Sequence, residues 1–548
     1  MNINAPHKEP LQLKKQTVIL LEYIIILLFS LFPIFRHFPF EGNIYLSWEG
    51  AYRLYLGQVP YKDFGIPMGF GYWIIPALFF KLFGPYLSTL IKAQAFINIL
   101  SALAFRSILK SFRIEHPVRF LAVLLYLISY SYTNYWPWYN HTVIVFELIG
   151  IAFLLKYIIG NKEKFRLGYL LAASFFLFMS LFTKQDAGAF AFLIGLALII
   201  CHGIYEKRLS PIFWFLGSYF LIAICIITPF IPYHIGYWFN YGQPPHYDRL
   251  SLYDIINVFL SRSTWIKFYI LAIVLILLSK SRQIPQFLSD KNTIVFTILT
   301  LGILCEASIT QVTSYVPKDT NIFFHSFAVI YIFSLSGIYE KVNFQKPLVT
   351  LIVAILIILW WSPYPWNYAN AVFIKHFPGA ISTETNEVSI RNYVLDTTQT
   401  KKGGKWIEGP WKQFKHIYMP KETIDGMKRV LSLDVVKEKK SNIRLLNMSE
   451  LTPIEDIMGY IPETGSDIPL WYQKNIGMFE EQIYEYENRI KKGYYDVVMY
   501  EYVPSSNNFY PFEIEDALNK YYKRIDSFIA PRPNTYGSIE VFIKRPEK

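Results

Sequence analysis

Charge is scarce in this sequence. Asp, Glu, Lys and Arg make up 17% of its 548 residues, where a water-soluble domain carries about a quarter. Cysteine is scarcer still: Cys201, Cys225 and Cys305 all lie in apolar runs, and residues 363–548 have none. That last region therefore uses no disulfide and no cysteine-based metal site. It also lacks a dinucleotide glycine fingerprint, a Walker sequence and a His/Cys metal spacing, which excludes the motif-bearing nucleotide enzymes and zinc modules. No small-residue cleavage site follows the first apolar run, so that run reads as a retained helix and not as a signal peptide.

Apolar residues are abundant, at 53%, and they are unevenly spread. Residues 17–362 are dominated by apolar runs, whereas 363–548 read as ordinary soluble protein. Two parts are expected: a bilayer-embedded region, 1–362, and an aqueous domain, 363–548. A spanning helix needs about 20 apolar residues. Eleven runs approach that length: 17–35, 88–109, 118–136, 141–159, 168–183, 187–204, 211–232, 264–279, 292–309, 322–340 and 347–362. The stretch 66–83 carries Pro67, Pro76 and several glycines, and reads as an interfacial or re-entrant helix.

The net charge of +12 would suit a nucleic-acid partner, but none is expected. The basic residues sit mostly in short loops between apolar runs, among them Lys14, Lys15, Lys110, Arg113, Lys164, Arg166, Lys207, Arg208, Lys280 and Lys346. With the N-terminus in the cytoplasm these loops all fall inside, as the positive-inside rule requires. Residues 363–548 then lie outside the cytoplasm. Trp136, Trp138, Trp360, Trp361 and Trp366 fall at outer helix ends, where amphipathic rings favour the headgroup layer.

Ionisable residues inside a bilayer are costly and mark function by default. Here Glu147, Lys184, Gln185, Asp186, Glu306 and His325, with Asn140 and His141, lean toward the outer side. Either they line a polar cavity opening outward or they are helix-end groups reaching interfacial water. Arg106 and Lys156 lie near inner ends, where long basic side chains snorkel to the headgroups.

The outer loop 36–87 holds a helix-like stretch, 43–56, in which Tyr45, Trp48, Tyr52 and Tyr55 share one face. That face reads as a stripe lying on the membrane surface. Glu49 and Arg53 are four apart and can pair. Gly57 stops the helix, and Pro60 to Asp63 form a turn. Glu41, Glu49 and Asp63 are the loop's carboxylates, and any of them is a candidate general base on a hydroxyl acceptor. The plainer readings are that Glu49 only holds Arg53, that Asp63 serves its turn and that Glu41 is solvated.

This loop resembles one found in a known family. One N-terminal span is followed by an acid-bearing loop, the series Ala51, Leu54, Gly57, Pro60, Tyr61, Asp63 and Phe64, and an aromatic segment ending in Phe80, Phe83 and Gly84. The pattern resembles the C-type (GT-C) glycosyltransferase superfamily, in particular bacterial relatives of protein mannosyltransferases and lipid A aminoarabinose transferases. Thr183-Lys184-Gln185 resembles a recurring outer-end motif there. The match covers the first 190 residues. Many relatives start the loop with an Asp-Glu pair, where Phe40-Glu41 stands here.

The resemblance implies an α-helical polytopic membrane protein with a C-terminal extracytoplasmic α/β domain, seated in the cell membrane. It implies inverting transfer of a sugar from a polyprenyl-phosphate donor to a glycan, lipid or protein acceptor. No cofactor is required, and a divalent metal is left open. Glu49 and Glu41 compete for the acid role, Glu49 first, with Asp63 third. Arg53 and Lys184 are the phosphate cations, with Gln185, Asp186, His141 and Glu147 around the substrate. A transporter or flippase of lipid-linked glycans is the rival from another class, but its usual internal repeats are missing. A polysaccharide polymerase or ligase is the second rival.

In 363–548, the segments 442–447, 495–500 and 538–543 read as strands and 449–458, 475–492 and 512–523 as helices, which is a small α/β layer. Residues 459–473 form a Gly/Pro-rich segment that either covers the membrane cavity or is an ordinary loop. Asn140-His-Thr142 and Asn447-Met-Ser449 match glycan acceptor triplets, which are common by chance. A reporter enzyme fused after residue 400 should be active only outside the cytoplasm, and one fused near residue 163 only inside. The reverse result at either position means the span count is off by one.

Overall fold

The computed structural model describes residues 12–40, 44–130, 134–160, 163–242, 251–313, 323–362, 366, 406–470, 472, 476–503, 510–532 and 537–545. In chain order the helices before residue 363 are α1 (Lys15–Leu31), α2 (Ile44–Tyr55), α3 (Gly71–Phe83), α4 (Leu87–Ser111), α5 (His116–Ser129), α6 (Tyr139–Ile159), α7 (Arg166–Thr183) and α8 (Gln185–Glu206). They continue with α9 (Ser210–Ile227), α10 (Leu252–Arg262), α11 (Thr264–Ser279), α12 (Ile284–Ser289), α13 (Lys291–Thr313), α14 (Phe323–Ser336), α15 (Ile338–Lys341) and α16 (Pro347–Trp360). A helix is what an apolar run becomes in lipid, because every N–H and C=O must find its partner within the segment.

Each of the eleven expected spans contains a helix. Among the described residues seven are long and apolar enough to cross a membrane, and α10 with α11, bent by 78°, forms an eighth if counted as one span. The expected spans 118–136, 322–340 and 347–362 form shorter apolar helices of 14 residues each. The first of these stops early because Asn134 donates to the Tyr130 carbonyl at 2.8 Å and Pro137 follows. The second stops at Gly337, which takes a left-handed φ of 71°. The chain is thus a multi-pass membrane protein, and its exposed side chains agree: Phe213, Leu221, Ile224 and Leu348 are each more than half exposed, a surface that suits lipid and not water.

The bundle is closed by buried charge. Glu22 on α1 is fully buried and accepts from Arg106 of α4 at 2.6 Å and Arg119 of α5 at 2.8 Å. Arg106 therefore does not snorkel to the headgroups. An internal carboxylate captures it, supplying the counter-charge that a guanidinium inside the bundle requires. Helices α8 and α13 run antiparallel: Lys291 meets Glu206 at 2.9 Å at one end, and Thr313 donates to Asp186 at the other.

At the Asp186 end sit the first loop and the C-terminal region. A Cβ on Gly69 would lie 1.4 Å from the Phe182 carbonyl oxygen, so the loop meets the end of α7 at a distance that glycine alone allows. The C-terminal region builds two sheets. In the first, β1 (Phe38–Pro39), from the loop, pairs in parallel with β3 (Ile417–Pro420), which pairs antiparallel with β2 (Trp406–Glu408). The second has the order β4-β5-β7-β6, from β4 (Leu445–Met448), β5 (Val497–Tyr502), β6 (Tyr522–Ile529) and β7 (Ser538–Lys544).

Three of these four are the expected strands. β6 was not expected: its first two residues fell within a helix read over 512–523, which ends at Tyr521, and the remainder had no assigned element. β6 is an edge strand whose middle is largely solvent-facing, so it lacks the apolar run by which buried strands are read. Helices Phe479–Lys491 and Phe512–Tyr521 cover one face of the sheet, and Lys421–Ser432 packs on the other.

Candidate functional site

Helix α2 is where the first loop meets everything else. The aromatic stripe is not on the membrane surface as expected: Tyr45, Trp48 and Tyr52 are at most 3% exposed. The helix lies between α3 and the C-terminal region, so both of its faces are covered. Trp48 donates to the Pro85 carbonyl at 2.9 Å and Ser47 to the Pro137 carbonyl at 2.5 Å. A Cβ on Gly50 would lie 1.9 Å from the Trp73 ring. An aromatic stripe at helical spacing fits a buried face as well as an interfacial one, and the sequence offers no signal that separates them.

Glu49 and Arg53 do pair, with the Arg53 Nε at 3.1 Å from Glu49 Oε1. The guanidinium also donates to Gln58 Oε1 at 3.0 Å and to the Glu463 carbonyl at 2.8 Å. Gln58 in turn donates to the Pro462 carbonyl at 2.8 Å. Further along, the Gly65 N–H bonds the Ile468 carbonyl at 2.8 Å, the Leu470 N–H bonds the Gly65 carbonyl at 3.0 Å, and the Gly465 N–H bonds the Asp63 carbonyl at 2.9 Å. Residues 462–470 therefore form a strap laid along the first loop. Arg489 holds the strap from the far side through Glu463 at 3.1 Å and Asp467 at 2.7 Å.

A second carboxyl joins this junction. Glu455, 4% exposed, accepts from Asn447 at 3.2 Å and feels both Glu49 and Arg53. Burial, then repulsion from Glu49, pushes its pKa up to about 8. Burial also raises Glu49, against the pull of Arg53. Glu455 thus lies in the field of both Glu49 and Arg53, and its burial favours the neutral form. Its role was invisible in the sequence, where it stands more than 400 residues from Glu49. The Asn447 triplet is engaged internally: Ser449 donates to Asn447 Oδ1 at 2.6 Å.

The other loop carboxylates fare differently. Asp63 is half-buried and accepts the Val59 N–H at 2.7 Å through Oδ2, so it does serve its turn. Glu41 lies outside the described residues. Phe40 and Ile44, on either side of it, are both 1% exposed.

In the bundle, the structure gathers most of the expected polar residues. Lys184 donates to Asp186 Oδ2 at 2.7 Å, and Thr313 donates to the same oxygen. Gln185 donates to the Trp238 carbonyl. Glu306 lies near Asp186 and Lys184 and adjoins Glu147. No other described group hydrogen-bonds to these two buried carboxyls. His141 Nδ1 is 3.1 Å from Gln94, which bonds Asn98 at 2.8 Å. His325 stands apart, bonded to the Tyr269 hydroxyl at 2.7 Å and boxed by Phe324, Trp265 and Trp361. A cavity of about 450 Å³ at the opposite end of the bundle is lined by Phe112, Lys280, Asp290, Thr293 and Tyr331 and contains none of the candidate residues.

The fold that holds this loop over the polar end of the bundle is shared, over nearly the whole chain, with a solved membrane protein. The likeness is to ArnT from Cupriavidus metallidurans. Its structure bound to undecaprenyl phosphate matches with a TM-score of 0.51 at 12% identity, over 96% of this chain and 99% of that one. Its apo structure matches with a TM-score of 0.50 at 11% identity over the same shares. No protein-family model matches the chain, and no curated protein matches its sequence.

The junction makes a pH prediction. Glu455 has its folded pKa, about 8, above the ordinary value of 4.5. Its contribution to stability is therefore fully present below the ordinary value and is lost as pH rises through about 8. The melting temperature of the purified protein should fall as pH rises from about 5 to about 8, and Glu455→Gln, which mimics the neutral form, should flatten that fall. An equal slope in the variant would mean that Glu455 does not titrate in this window.

Proposed function

We propose that the protein is an integral-membrane glycosyltransferase that moves a sugar from a polyprenyl-phosphate donor to a hydroxyl acceptor outside the cytoplasm. The observation that carries this reading is the likeness of fold over 96% of the chain to a protein solved with undecaprenyl phosphate bound. The strapped first loop above the Lys184 cluster supplies the place. The acceptor hydroxyl attacks the anomeric carbon from the face opposite the phosphate, and the carbon–oxygen bond to the phosphate breaks. Polyprenyl phosphate leaves, a base takes the hydroxyl proton, and the anomeric configuration inverts.

The base is an acid of the first loop. Glu49 is paired with Arg53 inside a covered junction, which suits a positioning residue. The base role then passes to Glu41, with Asp63 second, since Asp63 has one oxygen committed to its turn. Lys184, set by Asp186, is the cation offered to the donor phosphate, because a charge-assisted hydrogen bond to phosphate is about twice as strong as a neutral one. The C-terminal region, taken as a separate domain outside the cytoplasm, bears the strap that fixes the loop.

Purified protein incubated with polyprenyl-phosphate sugars and membrane-lipid acceptors should release polyprenyl phosphate in step with sugar transfer. Glu41→Gln should lower turnover by about 10²–10⁴, the usual contribution of a general base, with the melting temperature kept. Lys184→Ala should raise the donor KM more than the acceptor KM. Movement of the intact lipid-linked sugar across liposomes without transfer would favour the flippase. Near-full turnover in Glu41→Gln would hand the base role to Asp63.

A further inference from the structure

The first sheet brings together three side chains that the mechanism does not use. His37 follows the end of α1, one residue before β1. His416 stands one residue before β3. Because β1 and β3 pair in parallel with Phe38 opposite Ile417, the two histidines are held side by side. Their rings are 4.7 Å apart and meet edge to face, at 87°. Glu408 closes β2 on the other flank of β3, opposite Tyr418. Its carboxylate reaches back so that Oε2 is 3.7 Å from His37 Nδ1 and Oε1 is 3.8 Å from His416 Nδ1.

We propose that His37, Glu408 and His416 form a zinc site that clips the first loop to the C-terminal sheet. One donor atom from each residue lies within 4.8 Å of the others. A tetrahedral zinc with bonds of about 2.0–2.1 Å sets its ligand atoms about 3.3–3.4 Å apart, so side-chain rotations that close the gaps by a few tenths of an ångström to about 1.5 Å complete the site. Two features point to a ligand. His416 Nδ1 is buried and has no hydrogen-bond partner, a state that is costly unless something binds it. His416 also takes a left-handed φ of 67°, held by its backbone N–H bonding Glu408 Oε1 at 2.7 Å, so the strained residue and the carboxylate are fixed relative to each other.

The donor set selects the ion. Two imidazole nitrogens and one carboxylate suit zinc, whereas magnesium and calcium want oxygen alone. Three protein ligands leave one position for water. No metal spacing is legible along the chain, because two ligands come from the C-terminal region and the third from beyond the first span, so they meet only through the β1–β3 pairing.

The test uses detergent-purified full-length protein, stripped with chelator, equilibrated with zinc chloride and desalted. The expected result is about one zinc per chain by elemental analysis and a higher melting temperature, as for any ligand that binds the folded state, with no shift from magnesium chloride. His37→Gln with His416→Gln should lose both the zinc and the shift while melting like the stripped wild type. Glu408→Gln, which keeps an acceptor for the His416 N–H, should bind zinc more weakly and melt normally without it. No retained zinc in the wild type, or equal zinc in the double variant, overturns the site.

Discussion

The junction depends on Arg53. A guanidinium has five N–H donors and no way to lose its charge, and this one is 5% exposed. Its acceptors come from three places: Glu49 one turn back on α2, Gln58 after the turn, and the Glu463 carbonyl of the strap. Breaking a buried ion pair by removing one partner costs about 3–5 kcal/mol, so neither the helix nor the strap can shift without stranding a charge. The first loop is therefore folded jointly by the membrane region and the C-terminal region. The parallel pairing of β1 with β3 and the Gly65–Pro469 bridge repeat that dependence at two further points.

The same rule governs the bundle. Glu22 holds two arginines from two other helices, and Asp186 holds Lys184 and Thr313. Glu22 is answered from two other helices and Asp186 from α13 as well as from its neighbour Lys184, which fixes how these helices face one another more sharply than apolar packing against lipid can. Glu147 and Glu306 depart from this pattern, as two carboxyls set against each other beside the Lys184 cluster. A polar core of that kind costs stability, and it lies at the end of the bundle that the strapped loop covers.

Much of this was legible in the sequence, and the failures have a common cause. Apolar runs located a helix in each of the eleven expected spans, of which seven are long enough to cross a membrane and an eighth is the bent α10–α11 pair, because length and composition decide where such helices form. The Glu49–Arg53 pair was legible because it is local, four residues apart on one helix. So was the gathering of Lys184, Asp186 and Glu147, because each is out of place in lipid. What escaped notice were contacts made across the chain. The burial of Trp48, the upward shift of Glu455, the strap at 462–470 and the Glu22 pairing that captures Arg106 all depend on partners far away in sequence. The edge strand β6 escaped because an edge strand needs no apolar run.

The central claim is that the Lys184 end of the bundle, under the first loop and its strap, receives a polyprenyl phosphate. A cryo-electron microscopy map of the full-length protein in lipid nanodiscs with undecaprenyl phosphate tests it most directly. Phosphate density is expected beside Lys184, bounded by the first loop, with the lipid tail leaving between helices. Phosphate density in the cavity beside Lys280 and Asp290, at the opposite end, with none at Lys184, would contradict it.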